Sequence, residues 1–479
     1  MQFYTDGTII RDEKGRHRIF KGINVCIKTK ECSAHHFRKM YCTKKHFDLL
    51  KSYGFNIIRL GISWDMIEPM ESEYSMDFIE AFQEYIALCG ENDIYVMLDM
   101  HQDLFSHFLC DVGDGAPQWA LSKDLPLHQK PYAIWAEGYF YMDNVQKAFH
   151  DFWQNENAIQ EKYIEMWCFY AKQFADFPNV IAYDYMNEPY VEKDGRTIFM
   201  TIVQRVLYKS LQKELNPFPY FQKYGNKKAF RKTFFTLVKK VKTIRNLKKM
   251  ASVMDNTENF GTVIAGLESY TQPFNENFYA PFIQDISNRV NPTNTIFNVI
   301  EHNYFSNLGI PFSINAPKNC LYSPHAYDVF VDSPLYNKYS SNQRIQYITS
   351  QIRKNQEKMN LPVLFGEWGA GANGTEWIKH IDYVYGIMEK NLWSQVYWGF
   401  VPHEHKLRSM YNRPSPIAIN GPMLSYQTDN KTKTFSMDWE CDEKSEDNLI
   451  YMPGQDVISI SAHAGKNHYV CTYSSEQTK

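Results

Sequence analysis

Residues 180–189 read Val-Ile-Ala-Tyr-Asp-Tyr-Met-Asn-Glu-Pro, a β-branched and aromatic run that stops at a polar pair and a proline. Such a run predicts a buried strand, Val180–Met186, with Asn187 and Glu188 at its C-terminal end. Comparable runs lie at Ile19–Cys26, Asn56–Ser63, Ile94–Met100, Asn294–Ile300, Cys320–Ser323, Pro362–Phe365 and Gln395–Phe400. Longer helical patterns separate them, among them Met76–Cys89 and Ala158–Phe174. Eight strands alternating with helices predict an α/β chain folded as a (β/α)8 TIM barrel. Gly7–Phe20, with Asp12-Glu-Lys-Gly15 at its centre, predicts a hairpin that caps the barrel's N-terminal end. Beyond Phe400 the prolines and glycines cluster, and Phe435–Trp439, Val457–Ser461 and Tyr469–Tyr473 read as antiparallel strands. The expected organisation is a catalytic barrel over 1–405, with an insertion at about 195–275, and a small C-terminal β-sandwich over 406–479.

Composition narrows the function classes. The chain has 479 residues, 44% of them apolar and 22% charged, which suffices for a large core and excludes disorder. Aromatics reach 16%, a share that suits both cores and clefts for flat or sugar-like ligands. Nine scattered cysteines predict mostly free thiols. Cys32, His35, His36 and Cys42 match no standard zinc spacing, so no metal and no cofactor are expected. No apolar run is long enough to span a bilayer, and the start lacks the basic and apolar regions of a signal peptide. That points to a cytoplasmic or membrane-peripheral location, with a secreted or lysosomal one left open for a chain truncated at its N-terminus.

Barrel enzymes carry their chemistry at the C-terminal ends of strands. Two glutamates stand there: Glu188 after the fourth run, and Glu367 after the seventh in Val363-Leu-Phe-Gly-Glu-Trp-Gly369. Glycoside hydrolysis needs two carboxyl groups flanking the scissile bond, one protonated and one ionised. Two glutamates on one barrel face supply that pair.

Asn187-Glu188-Pro189 and Gly366-Glu367 resemble the acid/base and nucleophile motifs of glycoside hydrolase family 5, a retaining barrel family. Arg59 resembles the family's strand-two arginine, which supports the nucleophile, and His101 its strand-three histidine. His325 and Tyr327 resemble the strand-six pair, and Trp398 the strand-eight tryptophan that forms a sugar platform. Within the family the chain is similar to the endoglycoceramidases and related glycosylceramidases. Gly22–Lys28, Asp99-Met-His-Gln-Asp103 and Asp114–Ala120 carry that likeness, and Trp135 sits where that group has another stacking tryptophan. The resemblance implies that Lys28, Asp99, His101 and Asp103 bind sugar hydroxyls and that Asn187 bonds the 2-hydroxyl. It also implies that Arg59 and Tyr327 favour an ionised Glu367. Lys318 lies near where some endoglycoceramidases have a glutamine that contacts the second sugar.

The expected activity is double-displacement cleavage of the sugar–ceramide bond of glycosphingolipids. A steryl β-glucosidase, a β-glucanase of the same chemistry, and an inactive glycolipid-binding barrel stay open beside it. Residues 205–250 hold fourteen Lys or Arg against one acid, Glu214, a net +13 that leaves −16 for the rest. Phe230, Phe234, Leu237, Val241, Ile244 and Leu247 recur there at helical spacing, within an expected helix from Lys227 to Met250. That segment reads as an insertion helix with a solvated basic face, or as a surface that leans on anionic membrane. No readout motif accompanies the charge, so nucleic acid is not an expected partner.

Overall fold

The computed structural model describes residues 2–28, 32–131, 135–211, 243–331, 336–371, 375–399 and 408–474. Eight strands form the barrel: β1 (Lys21–Ile27), β2 (Ile57–Ser63), β3 (Tyr95–His101), β4 (Val180–Asp184), β5 (Phe297–Ile300), β6 (Cys320–Tyr322), β7 (Leu364–Phe365) and β8 (Ser394–Tyr397). All neighbours are parallel, and a parallel bridge between Tyr322 and Val363 joins β6 to β7 and closes the ring. Each of the eight expected runs overlaps one of these strands, and β1, β3 and β8 each reach one residue beyond the run, to Ile27, His101 and Ser394. β4 stops at Asp184, so Tyr185 and Met186 already belong to the loop that presents Glu188.

Period-two alternation sets the barrel's interior. In β2, Ile58, Leu60 and Ile62 face the helical layer, whereas Ile57 joins Met97, Ile181, Phe297, Leu321, Leu364 and Val396 in a separate apolar cluster. Phe3, Ile10 and Phe20 complete that cluster, so the N-terminal segment plugs the barrel's lower end. Two residues further along their strands the inward positions turn polar: Arg59 follows Ile57, and Asp99 follows Met97. The cross-strand register places Gly61 beside Asp99 and Asp99 beside Asp184. A methyl group on Gly61 would lie 2.7 Å from an Asp99 carboxylate oxygen and 2.8 Å from the Cys26 sulfur, so the glycine makes room for that acid.

The N-terminal hairpin does more than cap. Phe3–Asp6 pairs with Ile9–Asp12, Ile9–Asp12 with His17–Arg18, and His17–Arg18 with β9 (Ser415–Ile419), which continues through β12 (Ser445–Met452) to β13 (Asp456–Ala462) in one six-stranded sheet. The opposing sheet holds β10 (Met423–Asp429), β11 (Thr434–Cys441) and β14 (Gly465–Thr472). Ile19, Ile419, Phe435, Met437, Trp439 and Ile450 fill the space between them. Lys21 locks this sandwich to the barrel, its ammonium donating to the carbonyls of Tyr411 and Arg413 at 2.8 and 3.1 Å.

The high aromatic content serves the core more than the cleft. Seven of the ten tryptophans are buried, and Trp119, Trp135 and Trp398 are half-buried. All nine cysteines are free. Residues 212–242, most of the basic segment, lie outside the described residues, as does most of the helix expected from Lys227; Thr243–Met254 is helical. Among the described residues no helix is long and apolar enough to cross a membrane.

Candidate active site

Arg59 is the centre of the site. It is wholly buried and spends its guanidinium on carboxylates from four strand ends. Nε donates to Asp184 at 2.8 Å, Nη1 to Glu367 at 2.8 Å, and Nη2 to Glu301 at 2.7 Å and Asn187 at 2.9 Å. Asp99 lies 2.9 Å from Nη2. Four carboxylates cannot all be ionised around one buried guanidinium, so the cluster holds protons. Burial pushes Asp99 up to about 6 against the pull of Arg59, His325 and Lys28. Burial, with the charge of Asp184, drives Glu301 well above the usual carboxylate range. Asp99, Asp184 and Glu301 offer oxygens within 4.8 Å of one another, a spacing a cation could use, but the guanidinium already lies among them.

Glu188 and Glu367 come together above this floor. Both are nearly buried, and with His325 each offers an atom within 4.8 Å of the others. Such closeness is of the order required of a retaining pair, whose carboxyl groups stand roughly 5 Å apart. His325 touches both: Nδ1 lies 2.9 Å from Glu188 Oε1 and 3.6 Å from Glu367 Oε2, while Nε2 lies 3.2 Å from Glu301. Burial opposes its charge, yet Glu301 and Glu367 outweigh it and raise the imidazole well above its ordinary value, so both ring nitrogens carry a proton and Nδ1 donates to Glu188.

Arg59 and Tyr327 do hold Glu367 as expected, Tyr327 donating to Oε2 at 2.8 Å. Their effect on its charge is smaller than expected. Burial outweighs His325 and Arg59, the Glu188 charge adds to it, and Glu367 is pushed up to about 7.

Glu188 sits in the left-handed region at φ 43°, a conformation that costs of order 1–3 kcal/mol in a non-glycine residue. Neighbouring strand ends hold it there. The Glu188 backbone N–H donates to Glu301 Oε2 at 2.7 Å, and Gln102 donates to the carbonyls of Asn187 and Glu188 at 2.8 and 3.2 Å. Asn187 is fixed too, accepting from Arg59 and donating to the Gln102 carbonyl at 3.1 Å.

The expected sugar-binding residues gather on one side. His101 Nδ1 lies 2.9 Å from Asp99, and burial together with Lys28 lowers its value well below normal, so the ring is neutral and leaves Nε2 as an acceptor. The ring stacks on Trp398 at 5.3 Å and 10°. Lys28 binds Asp103 and lies 3.2 Å from Asp114, with its ammonium 5.5 Å from the Trp398 ring. Those two acids overcome burial and hold Lys28 charged. Trp135 stands further out, edge-on to Tyr139 at 6.2 Å.

Lys318 lies away from the site. Lys318 precedes β6, so chain direction puts it at the N-terminal end of the barrel, opposite the carboxylates. There its carbonyl accepts from Asn298 at 2.9 Å. Several residues of the site were also not among the expected ones: Asn24, Asp114, Asp184, Glu301, His302 and Asn307. Glu301 satisfies the criterion that selected the other two glutamates, since it directly follows β5. Asp184 likewise ends β4, Asn24 and Asp114 lie within the motif segments Gly22–Lys28 and Asp114–Ala120, and His302 and Asn307 become visible only in three dimensions.

A (β/α)8 barrel with a carboxylate pair after β4 and β7 defines a class of glycoside-cleaving barrels. The model of cellulase (glycosyl hydrolase family 5) matches residues 20–404, and that of the glycoside hydrolase family 5 C-terminal domain matches 413–478. The chain belongs to glycosyl hydrolase family 5. It is 30% identical to an endoglycoceramidase of Hydra vulgaris over 205 residues, which span 37% of this chain and 38% of that protein. Its fold is similar to endo-glycoceramidase II from Rhodococcus sp. in complex with ganglioside GM3, with a TM-score of 0.65 at 19% identity over 98% of this chain and 100% of that one. Cryptococcus neoformans sterylglucosidase 1 shares the fold with a TM-score of 0.65 at 14% identity, over 98% and 96% of the two chains.

Proposed function

We propose that this protein is a retaining β-glycosidase that cleaves the sugar–ceramide bond of glycosphingolipids. The observation that carries the chemistry is the Glu188–Glu367 pair, with oxygens within 4.8 Å and a shared contact to His325. In this reading Glu367 attacks the anomeric carbon while Glu188 gives its proton to the glycosidic oxygen, and ceramide leaves. Glu188 then takes a proton from water, the resulting hydroxide displaces Glu367, and the sugar departs with its configuration retained. Arg59 and Tyr327 orient Glu367. Asn187 meets the sugar 2-hydroxyl, where hydrogen bonding strengthens in the transition state. Lys28, Asp99, His101 and Asp103 take the remaining hydroxyls, with Trp398 beneath the ring and Trp135 at the outer wall. The glycosphingolipid assignment draws on the likeness to the Hydra endoglycoceramidase and on the GM3 complex of the Rhodococcus enzyme.

A second reading, a steryl β-glucosidase, is favoured by the equally similar fold of the Cryptococcus sterylglucosidase. Incubation with glucosylceramide, galactosylceramide, a ganglioside and a steryl glucoside, with both products identified by mass spectrometry, separates the two. Ceramide release is the expected result. Sterol release alone would favour the second reading, and binding without turnover would mark an inactive glycolipid-binding barrel.

The basic segment at 205–250 adds a finer proposal, peripheral contact with anionic membrane. Reversing Lys239, Lys240, Lys242 and Lys248 to Glu should then weaken vesicle binding, and raised salt should mimic the variant. Equal binding by variant and parent would refute it.

A further inference from the structure

The segment after β5 reaches the acid/base candidate through a chain of buried hydrogen bonds whose direction can be read from its far end. The Phe312 backbone N–H donates to Asn355 Oδ1 at 3.1 Å, which orients that amide and turns its nitrogen toward Tyr322. Asn355 Nδ2 then donates to the Tyr322 hydroxyl oxygen at 3.1 Å. The Tyr322 hydrogen goes to His302 Nδ1, also at 3.1 Å. With Nδ1 accepting, the proton of a neutral imidazole sits on Nε2, which lies 2.7 Å from Asn307 Oδ1. Asn307 must therefore present its nitrogen to Glu188, and Nδ2 donates to Glu188 Oε1 at 2.6 Å. The His302 ring is neutral because burial, reinforced by His325, lowers it to about 3.

All four linking side chains are at most 8% exposed, so water does not compete along the chain. Reversing the links would turn a His302 N–H toward the Tyr322 oxygen, which already accepts from Asn355, and would leave the tyrosine hydrogen without its acceptor. The His325 backbone faces His302 Nε2 with both its N–H and its carbonyl oxygen at 3.1 Å, the first suited to a bare and the second to a protonated nitrogen, so it is the Tyr322 contact that places the proton on Nε2. His325 Nδ1 donates to the same Glu188 oxygen at 2.9 Å. Both donors from the two neighbouring loops thus meet at Oε1.

We propose that Asn307, oriented by His302 and Tyr322, is a positioning residue for the acid/base: it reserves Glu188 Oε1 as an acceptor and so assigns the catalytic proton to Oε2. During glycosylation the Oε2–H bond breaks, the proton passes to the glycosidic oxygen as the carbon–oxygen bond cleaves, and Oε1 keeps its two donors as the carboxylate forms. This inference rests on the glycosidase reading above.

The test compares kcat/KM for a 2,4-dinitrophenyl β-glycoside, whose leaving group needs no proton, with kcat/KM for a glycosylceramide in detergent, which does. Properly placed general acid catalysis is worth about 10²–10⁴-fold. Asn307→Leu should lower kcat/KM on the glycosylceramide by about 10–100-fold, a misplaced rather than a missing acid. On the dinitrophenyl glycoside the loss should stay within about 3-fold, since only the acid step is disturbed. Tyr322→Phe, which deletes one oxygen, should shift the ratio in the same direction by a smaller factor, and it carries the test if the leucine variant does not fold. Equal losses on both substrates, or no change in the ratio in the folded variants, would overturn the proposal. A parent protein that turns over neither substrate would instead overturn the glycosidase reading.

Discussion

Glu367→Gln should abolish turnover and also change how stability depends on pH. Burial raises the Glu367 carboxyl from its ordinary 4.5 to about 7. Between those values the folded protein binds more protons than the unfolded chain, so this group's contribution to stability falls as pH rises. Treated as a single site moving between 4.5 and about 7, Glu367 costs the parent on the order of 2–3 kcal/mol between pH 5 and pH 8. The glutamine variant escapes that loss. It also leaves Arg59 or Tyr327 facing an amide nitrogen, but that penalty is the same at both pH values and cancels in the comparison. For 479 residues the unfolding entropy is about 1 kcal/mol/K. The Tm difference, variant minus parent, should therefore grow by about 2–3 °C from pH 5 to pH 8. Scanning calorimetry of both proteins at matched ionic strength measures it. A difference that stays constant, or that shrinks as pH rises, would refute the argument that burial outweighs Arg59 at this carboxylate.

Glu188→Gln should lose activity on unactivated glycosides yet still form a trapped intermediate from a 2-fluoro glycoside with a good leaving group; full activity on natural substrate would remove Glu188 from the acid/base role. Since Glu367 must be ionised to attack and is pushed up to about 7, the acidic limb of kcat/KM should fall above pH 6, rather than near the ~4.3 of an ordinary glutamate; a limb below pH 5 would contradict the burial effect. Trp398 is half-buried and stacked on His101. Trp398→Ala should therefore lower kcat/KM at least tenfold, a loss of about 1.4 kcal/mol, while Tm barely moves. A lowered Tm with normal constants would make it a core residue only.

The barrel was legible because most of its strands are short apolar runs, as in β2 and β3, where Arg59 and Asp99 break the pattern on the inward side. The same logic exposed Glu188 and Glu367, whose positions follow from strand direction alone. It extended equally to Glu301, which directly follows β5, but the motif around the other two drew the eye and Glu301 has no such company. Asn307 and His302 were out of reach. Their importance lies in contacts to Glu188 and Tyr322, set by how the loop after β5 folds back, and no periodicity encodes that. Lys318 precedes β6, and a position before a strand belongs to the barrel's other end. The pairing of the N-terminal hairpin with β9 is a long-range contact that local patterning cannot show.

Peptide mapping after inactivation with a 2-deoxy-2-fluoro β-glycosyl fluoride tests the central claim most directly. The reagent slows both steps but spares attack by the nucleophile, so a covalent glycosyl ester accumulates on whichever carboxylate performs it. The label should appear on Glu367 in the parent and in Glu188→Gln, and be absent from Glu367→Gln. A label on Glu188 or Glu301, or a first-formed product of inverted configuration with no labelled carboxylate, would contradict the account.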